Sequence, residues 1–168
     1  GIGRVDPRLA LGAEHVRSGD AVILSGPAGD HGIAVLSCRK GVSFQTQVVS
    51  DCAPLNELIE TISPYFPALR WLRDPTRGGV GATLNELVES AALDIMLEEK
   101  LLPVRPEVRA AAELLGLDPL YLPNEGKMIM VVEQEVAAAV RAALREHPLG
   151  REAEIIGQVE RGAGNVWL

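Results

Sequence analysis

The chain has 168 residues, of which 47% are hydrophobic and only 4% aromatic. This length suits one domain or two very small ones, with an interior built from Ala, Val, Leu and Ile. The net charge of -7 and the pI near 5.0 argue against a surface for nucleic acid or anionic membranes. No apolar run approaches the roughly 20 residues that span a bilayer, and we expect no signal peptide. We therefore expect a cytoplasmic protein.

The first clear element is the apolar run of residues 21–25, which predicts a strand covered on both faces. The glycine-rich turn of residues 26–32 follows, and the apolar spacing from Ile33 predicts a short helix to about Lys40. Asp30 and His31 lie in this turn as candidate ligand contacts, and Asn124, in a later turn, is a third candidate. We interpret His31 mainly as a residue that caps, or hydrogen-bonds within, its own loop.

Residues 41–53 carry no periodic signal and predict a loop, after which Pro54 begins a helix that Pro64 and Pro67 end. The two cysteines, Cys38 and Cys52, have neither metal-ligand spacing nor a disulfide framework. Each is interpreted as a small packing or surface residue.

The most informative stretch runs from a short strand at residues 69–72, through a tight turn at 74–79, into an amphipathic helix at 80–91. Asp74 or Thr76 is expected to cap the helix. Gly78 and Gly79 lack a Cβ and would let a ligand approach the backbone. The helix start and Arg77 together suit a phosphate. Taken alone, the residues favour an Arg77 that pairs with Asp74 or lies in solvent, with glycines that only permit tight packing.

The remaining patterns predict helices and strands intermixed without strict alternation. Residues 93–98 alternate as a half-exposed strand should, and the next helix begins at Pro106 and stops at Gly116. The later elements are a strand at 128–132, a helix at 136–144, and strands at 153–159 and 166–168. The fold class that follows is an α/β or α+β sandwich, with a mixed sheet covered by helices.

One turn places a carboxylate directly before a buried strand. The loop of residues 117–126 ends in Asn124, Glu125 and Gly126, and the apolar strand begins two residues later. Without further information this is an ordinary Asn/Gly turn with a solvated glutamate.

The sequences of three turns resemble those of one protein family. The sequence Asp-Pro-Thr-Arg-Gly-Gly at 74–79, followed by a helix with Leu-Asn-Glu, is similar to the signature of the HypE family of hydrogenase maturation proteins. The Gly-Asp-His-Gly turn at 29–32 and the Asn-Glu-Gly turn at 124–126 resemble the same family. HypE belongs to the aminoimidazole ribonucleotide synthetase superfamily, together with selenophosphate synthetase and thiamine-phosphate kinase.

The resemblance implies a domain organisation. Residues 1–12, starting at Gly1, would end an interdomain junction, and residues 13–168 would form a single C-terminal α/β domain. An N-terminal domain absent from this chain would supply most ligands of ATP and Mg²⁺ and much of a homodimer interface. No metal site is expected in this chain. The family's C-terminal cysteine tail is also absent, because neither cysteine lies near Leu168, so the chain alone is expected to be inactive.

The resemblance also implies a reaction. HypE-like proteins use ATP to dehydrate an S-carbamoyl group on the C-terminal cysteine to a thiocyanate, which supplies the cyanide ligands of [NiFe]-hydrogenase. Glu125 matches the proposed proton acceptor, and residues 74–79 match part of the phosphate site. The implied partners are a carbamoyltransferase and the iron-scaffold complex of hydrogenase maturation.

Two other readings stay open. The chain could belong to a sibling ATP-dependent synthetase or small-molecule kinase of the same superfamily. It could also be a non-catalytic α/β module that docks partners. The full-length sequence would separate them, because a terminal cysteine tail indicates the dehydratase.

Overall fold

The computed structural model describes residues 4–39 and 47–168. In these ranges, a six-stranded mixed sheet has the order β2-β4-β1-β5-β3-β6. The strands are β1 (Ala21–Leu24), β2 (Leu69–Arg73), β3 (Leu93–Leu97), β4 (Ile129–Val132), β5 (Glu154–Arg161) and β6 (Val166–Trp167). The α-helices are α1 (Asp30–Ser37), α2 (Asn56–Thr61), α3 (Gly79–Ala91), α4 (Pro106–Leu115) and α5 (Gln134–Arg145). Short 3₁₀ turns lie at Ala13–His15, Ser63–Ala68, Glu99–Leu101, Pro119–Tyr121 and Pro148–Gly150.

The central strands are buried on both faces. In β1, Val22 and Leu24 belong to a cluster that includes the apolar face of α3, whereas Ala21 and Ile23 belong to a second cluster with α2 and α5. Successive side chains of a strand point to opposite faces, so the alternation puts helices on both sides of the sheet. The predicted sandwich of a mixed sheet covered by helices is confirmed.

The apolar face of α3 is buried as its 3.6-residue period predicts. Val80 and Leu84 have no exposed surface, and Leu87 is 2% exposed. The prediction of a strand, a turn and a helix over residues 69–91, with the helix beginning at a glycine, is confirmed.

Three local predictions need correction. Helix α1 begins at Asp30 rather than near Ile33, because Gly29 takes a left-handed conformation that ends the turn earlier; the predicted end at Lys40 and residues 41–46 of the predicted loop lie outside the described residues. Helix α2 begins at Asn56 and gives way to 3₁₀ geometry at Ser63, because Pro64 disfavours an α conformation before it.

The third correction concerns the cap of α3. The N-cap residue is Gly78, and neither Asp74 nor Thr76 accepts a side-chain hydrogen bond from the helix start. The backbone carbonyl of Thr76 accepts from the N–H of Gly79 at 3.2 Å instead. The turn is therefore closed by backbone groups, and neither predicted capping side chain takes part.

Candidate active site

The predicted site turns meet at one edge of the sheet because of how three strands are paired. Strand β4 runs antiparallel to both β1 and β2, and Ile129 at its start lies opposite Leu24 on one side and Arg73 on the other. The segments that follow β1 and β2 and the segment that precedes β4 therefore emerge side by side. Turns separated by about 50 residues in the sequence become neighbours.

Asn124 binds these three segments together. Its side chain has no exposed surface. Oδ1 accepts a hydrogen bond from the backbone N–H of Gly29 at 2.8 Å, and Nδ2 donates to the carbonyls of Pro75 at 3.1 Å and Leu122 at 3.0 Å. The backbone N–H of Asn124 also donates to Pro75, at 3.1 Å. Asn124 thus fixes the relative positions of the three turns, and its polar side-chain atoms are used within the protein.

Glycine is required at Gly78 and Gly79 by the protein's own packing. Their φ angles are +74° and +66°, in the left-handed region. A Cβ at Gly79 would lie 2.4 Å from the carbonyl oxygen of Leu120 and 2.5 Å from that of Leu122, and one at Gly78 would lie 2.5 Å from Cβ of Ala82. The predicted reason, an open approach for a ligand to the bare backbone, is corrected on that side of the turn, because protein atoms occupy the space.

The exposed residues of this turn are Asp74, Arg77 and Gly78. Arg77 is exposed, and within the described residues it forms no ion pair, with Asp74 or with any other carboxylate. The N–H groups of Val80 and Gly81 have no backbone acceptor among residues 4–39 and 47–168. An unpaired guanidinium beside the start of a 13-residue helix is an arrangement that can bind a phosphate.

Glu125 is exposed and follows directly after the buried Asn124. Its backbone N–H donates to Oδ1 of Asp51 at 3.1 Å. The other carboxylate oxygen of Asp51 accepts from Nζ of Lys127 at 2.9 Å, in an ion pair whose side chains are 3% and 8% exposed. The carboxylate of Glu125 therefore projects from a turn whose backbone is held on both sides.

His31 and Asp30 lie at the start of α1, next to this turn. His31 shares a hydrogen bond with Oγ of Ser50 at 2.9 Å, so the predicted bond within its own loop is corrected to one with the segment before Asp51. Oδ2 of Asp30 accepts from Nε of Arg105 at 3.0 Å, while Oδ1 is buried without a partner in the described part of the chain. Burial raises the pKa of Asp30, and the bond from Arg105 opposes that rise.

A cleft of about 890 Å³ opens beside these groups. Asp30, Asp51, Arg105 and Lys127 line it, whereas the residues of the 74–79 turn and Glu125 do not. The turn at residues 74–79 and the carboxylate of Glu125 therefore do not line the cleft. They lie on the surface formed by the three turns.

Asp51 and Arg105 were not found from the sequence. Neither belongs to a motif or a periodic pattern, and each acts through a partner about 75 residues away. Lys127 was visible only as the residue after the Asn-Glu-Gly turn.

A comparison with protein-family models decides the family. Residues 17–167 match the model of the AIR synthase related protein, C-terminal domain. The chain belongs to this family. The match covers nearly all described elements of the sheet and its helices.

Within the family, the chain is similar to HypE proteins. It is 49% identical over 159 residues to carbamoyl dehydratase HypE of Bradyrhizobium diazoefficiens, covering 94% of this chain and 46% of that protein. A crystal structure of HypE in complex with ATP superposes with a TM-score of 0.87 at 43% identity, covering 97% of this chain and 50% of that one. The resemblance predicted from the three turns is confirmed. The chain spans about half the length of the curated relatives it matches.

Two further structures bear on partners and on the fold. HypE in a crystal structure of the HypE–HypF complex gives a TM-score of 0.87 at 42% identity, over 90% of this chain and 50% of that one. Thiamine monophosphate kinase from Aquifex aeolicus gives 0.62 at 19% identity, over 93% of this chain and 52% of that one, which shows a shared fold.

The described residues of this AIR synthase related domain lack two further features. None of their helices has the length and the apolar character needed to cross a membrane. Among residues 4–39 and 47–168, no group of three or more His, Cys, Asp or Glu side chains could hold a metal ion.

Proposed function

We propose that this chain is the C-terminal domain of a HypE-like carbamoyl dehydratase. In the complete protein, ATP is used to dehydrate an S-carbamoyl group on a C-terminal cysteine to a thiocyanate, which supplies the cyanide ligands of [NiFe]-hydrogenase. The observation that carries the proposal is the bond of Asn124 to Pro75, because it places Glu125 beside the turn that holds Arg77. The 49% identity to a carbamoyl dehydratase supports the same reaction.

The relatives are about twice as long as this chain, and this length supports a two-domain organisation for the complete protein. Residues 1–12 end a junction, residues 13–168 form this domain, and a second domain supplies most of the ATP and Mg²⁺ ligands and a homodimer interface. We place the protein in the cytoplasm, with a carbamoyltransferase and the iron-scaffold complex as partners. The HypE–HypF complex supports binding to another maturation protein.

The turn at residues 74–79 fits a phosphate group. Arg77 is exposed and without an ion-pair partner among the described residues, and it can donate two parallel hydrogen bonds to phosphate oxygens. Asp74 and Thr76 lie in the same turn and offer polar side chains next to it. When bound, ATP supplies the phosphoryl group that makes the carbamoyl oxygen a leaving group. The domain's part is to hold the phosphate while the C–O bond breaks.

Glu125 provides the base that the reaction needs. Conversion of a carbamoyl –NH₂ to a nitrile removes both protons from nitrogen, one as the oxygen is phosphorylated and one as phosphate departs with the C–O electron pair. A carboxylate within hydrogen-bonding distance of that nitrogen can accept these protons. Glu125 is exposed at the sheet edge, and its backbone is fixed by Asp51 and Asn124, so it can be presented to a substrate brought by the tail.

A kinase or synthetase of the same superfamily is less well supported. The likeness to thiamine monophosphate kinase rests on 19% identity and concerns the fold. A role as a non-catalytic docking module would not explain why the unpaired Arg77 and the carboxylate of Glu125 lie on adjoining turns.

The test is Glu125→Gln in the full-length protein, carbamoylated on its terminal cysteine and mixed with ATP. Gln keeps the shape and hydrogen-bonding reach but takes no proton, so the rate of cyanation should fall by roughly a hundredfold to ten-thousandfold while ATP binding is retained. Mass spectrometry of the tail follows the loss of one water. Glu113→Gln is the matched control, because Glu113 is exposed on α4. Wild-type conversion by the Glu125 variant would remove Glu125 from the mechanism.

The 168-residue chain by itself is expected to bind ATP weakly and to hydrolyse none. Its phosphate-directed groups are one turn and one arginine, and the described residues provide no metal-binding cluster. Calorimetric titration with ATP and Mg²⁺ measures this. Tight, magnesium-dependent binding would indicate a self-contained nucleotide enzyme instead.

A further inference from the structure

The turn that carries Glu125 is supported by one acidic residue that takes no part in the proton transfer proposed above. Asp51 lies 74 residues earlier, in a segment without helix or strand. Its side chain is 3% exposed, and both carboxylate oxygens are used: Oδ1 accepts from the N–H of Glu125 at 3.1 Å, and Oδ2 accepts from Nζ of Lys127 at 2.9 Å. A single buried carboxylate therefore binds the residues on both sides of Gly126.

Gly126 is pressed directly against the backbone of Asp51. An ideal Cβ at Gly126 would lie 1.7 Å from the carbonyl oxygen of Asp51 and 3.2 Å from the backbone nitrogen of Ala53. No side chain fits between these two segments. The turn and the segment of Asp51 therefore form one packed unit, and a displacement of one moves the other.

The same segment is tied to α1. Oγ of Ser50 bonds to Nδ1 of His31 at 2.9 Å and accepts from the N–H of Cys52 at 3.2 Å. Asp51 thus sits between two anchored neighbours, so its carboxylate is a fixed acceptor for the N–H of Glu125.

A fixed backbone matters at Glu125 because its side chain is exposed. An exposed carboxylate has few contacts of its own, so its position depends on the backbone from which it projects. Displacement of a reacting group by about 1 Å can cost roughly a hundredfold in rate. In the described part of the chain, Asp51 is the acceptor for the N–H of Glu125, and the Lys127 ammonium holds that acceptor in place.

We propose that Asp51, with Lys127 as its counter-ion, is a positioning residue for Glu125. Asp51 does not contact the reacting atoms. It fixes the Glu125 backbone so that the carboxylate reaches the carbamoyl nitrogen. This inference rests on the proposed role of Glu125 as the base.

The experiment uses the full-length protein, carbamoylated on its terminal cysteine and mixed with ATP, with single-turnover cyanation followed by mass spectrometry. Asp51→Ala removes the acceptor and should slow cyanation by roughly tenfold to a hundredfold. The KM for ATP should stay within about twofold, since Asp51 lies outside the 74–79 turn. An unchanged rate, or a KM that rises as much as the rate falls, would overturn the proposal.

A conservative double variant separates positioning from charge. In Asp51→Asn/Lys127→Gln, the Asn oxygen can still accept from the N–H of Glu125, and its amide can donate to the Gln oxygen in place of the ion pair. Cyanation should return to within about fivefold of wild type. A double variant as slow as Asp51→Ala would show that the buried charge pair itself is needed, which contradicts the proposal.

Hydrogen exchange of the Glu125 amide gives a readout that does not depend on activity. Protection should be lost in Asp51→Ala and kept in the double variant; protection that persists in Asp51→Ala would overturn the assignment. If Asp51→Ala does not fold, Asp51→Ser replaces it: its shorter side chain does not reach the N–H of Glu125, so both the amide protection and the rate should fall, and the wild-type rate would overturn the proposal.

Glu133→Gln is the control for general destabilisation, because it breaks the pair of Glu133 with Arg70 at the opposite end of β4. It should lower the melting temperature without changing the rate. Glu125→Gln separates the two proposals. If it cyanates at the wild-type rate, the proposed function fails; if it is slow and the Asp51 variants are not, only the positioning role fails.

Discussion

The buried side chain of Asn124 accepts a hydrogen bond from the backbone N–H of Gly29 at 2.8 Å, across 95 residues of sequence. Because the same side chain also donates to the carbonyl of Pro75, one amide joins the segments that follow β1 and β2. The position of the carboxylate at Glu125 relative to the phosphate-directed turn depends on this amide.

Asn124→Ala should therefore lower the stability of the chain by about 2–4 kcal/mol. The change removes three side-chain hydrogen bonds and leaves the N–H of Gly29 buried without an acceptor, and an unsatisfied buried group costs about 1–3 kcal/mol. Urea unfolding of the 168-residue chain measures the loss. Asn165→Ala is the control, because Asn165 is exposed and its side chain bonds to no described residue, so its effect should stay within about 0.5 kcal/mol. Equal effects of the two variants would contradict the role of Asn124.

Gly79 and Gly116 offer a matched pair for the packing of the 74–79 turn. Both have φ +66°, but a Cβ at Gly116 meets nothing within 4 Å, whereas one at Gly79 would overlap two carbonyl oxygens. Gly116→Ala should cost about 1–2 kcal/mol, the penalty of the left-handed conformation. Gly79→Ala adds the steric clash and should cost well over 3 kcal/mol or prevent folding. Thermal unfolding compares the two variants. Similar melting temperatures would show that the 74–79 turn can shift to accommodate the added Cβ.

Acid should release the last strand when Asp94 becomes protonated. The indole N–H of Trp167 donates to Oδ2 of Asp94, and the backbone N–H groups of residues 163–165 donate to Oδ1. The bond from Trp167, followed by the backbone bonds, lowers the pKa of Asp94 below its ordinary value of 3.8. A lowered folded-state pKa means that the stabilisation is complete above pH 3.8 and is lost as pH falls through the lowered value.

Two-dimensional NMR of the indole N–H groups can follow this release. The Trp167 signal should shift as pH falls below 3.8, while that of Trp71, which packs against the core, should stay in place. In Asp94→Asn the Trp167 titration should be absent. If the Trp167 and Trp71 signals shift at the same pH, the cause would be general acid unfolding instead.

Arg77→Ala should weaken nucleotide binding rather than proton transfer. A hydrogen bond to a charged group contributes about 1.5–3 kcal/mol, so the KM for ATP in the full-length protein should rise by roughly tenfold to a hundredfold. The rate at saturating ATP should fall less than in Glu125→Gln. Arg109→Ala, on the exposed surface of α4, is the control. An unchanged KM would mean that Arg77 lies in solvent during the reaction.

Local patterns in the sequence were sufficient for most of the fold. The periods of α3 and α4, the apolar runs of β1 and β4 and the glycine that ends α4 each depend on residues within a few positions. The same holds for the three site turns, whose residue types were recognisable. Errors arose where a backbone conformation decided a boundary, as at Gly29, which moved the start of α1 to Asp30.

The supporting contacts of the site could not be predicted in this way. The bonds of Asp51 to Glu125 and of Asp30 to Arg105 join residues 74 and 75 positions apart, and no spacing rule relates such pairs. Asn124 was recognised as a turn residue, yet its burial depends on how β1, β2 and β4 meet. These features become visible only once the strand order is known.

The strand order also determines when the domain can form during synthesis. Within the described residues, none of β1, β2 and β3 pairs with another; their partners are β4, β5 and β6, which all lie after residue 128. When synthesis has reached residue 120, the strands β1, β2 and β3 are present without a partner to close the sheet. Such long-range pairing folds slowly and exposes apolar surface in the meantime. The nascent chain should therefore depend on chaperones until residues 129–167 have left the exit tunnel.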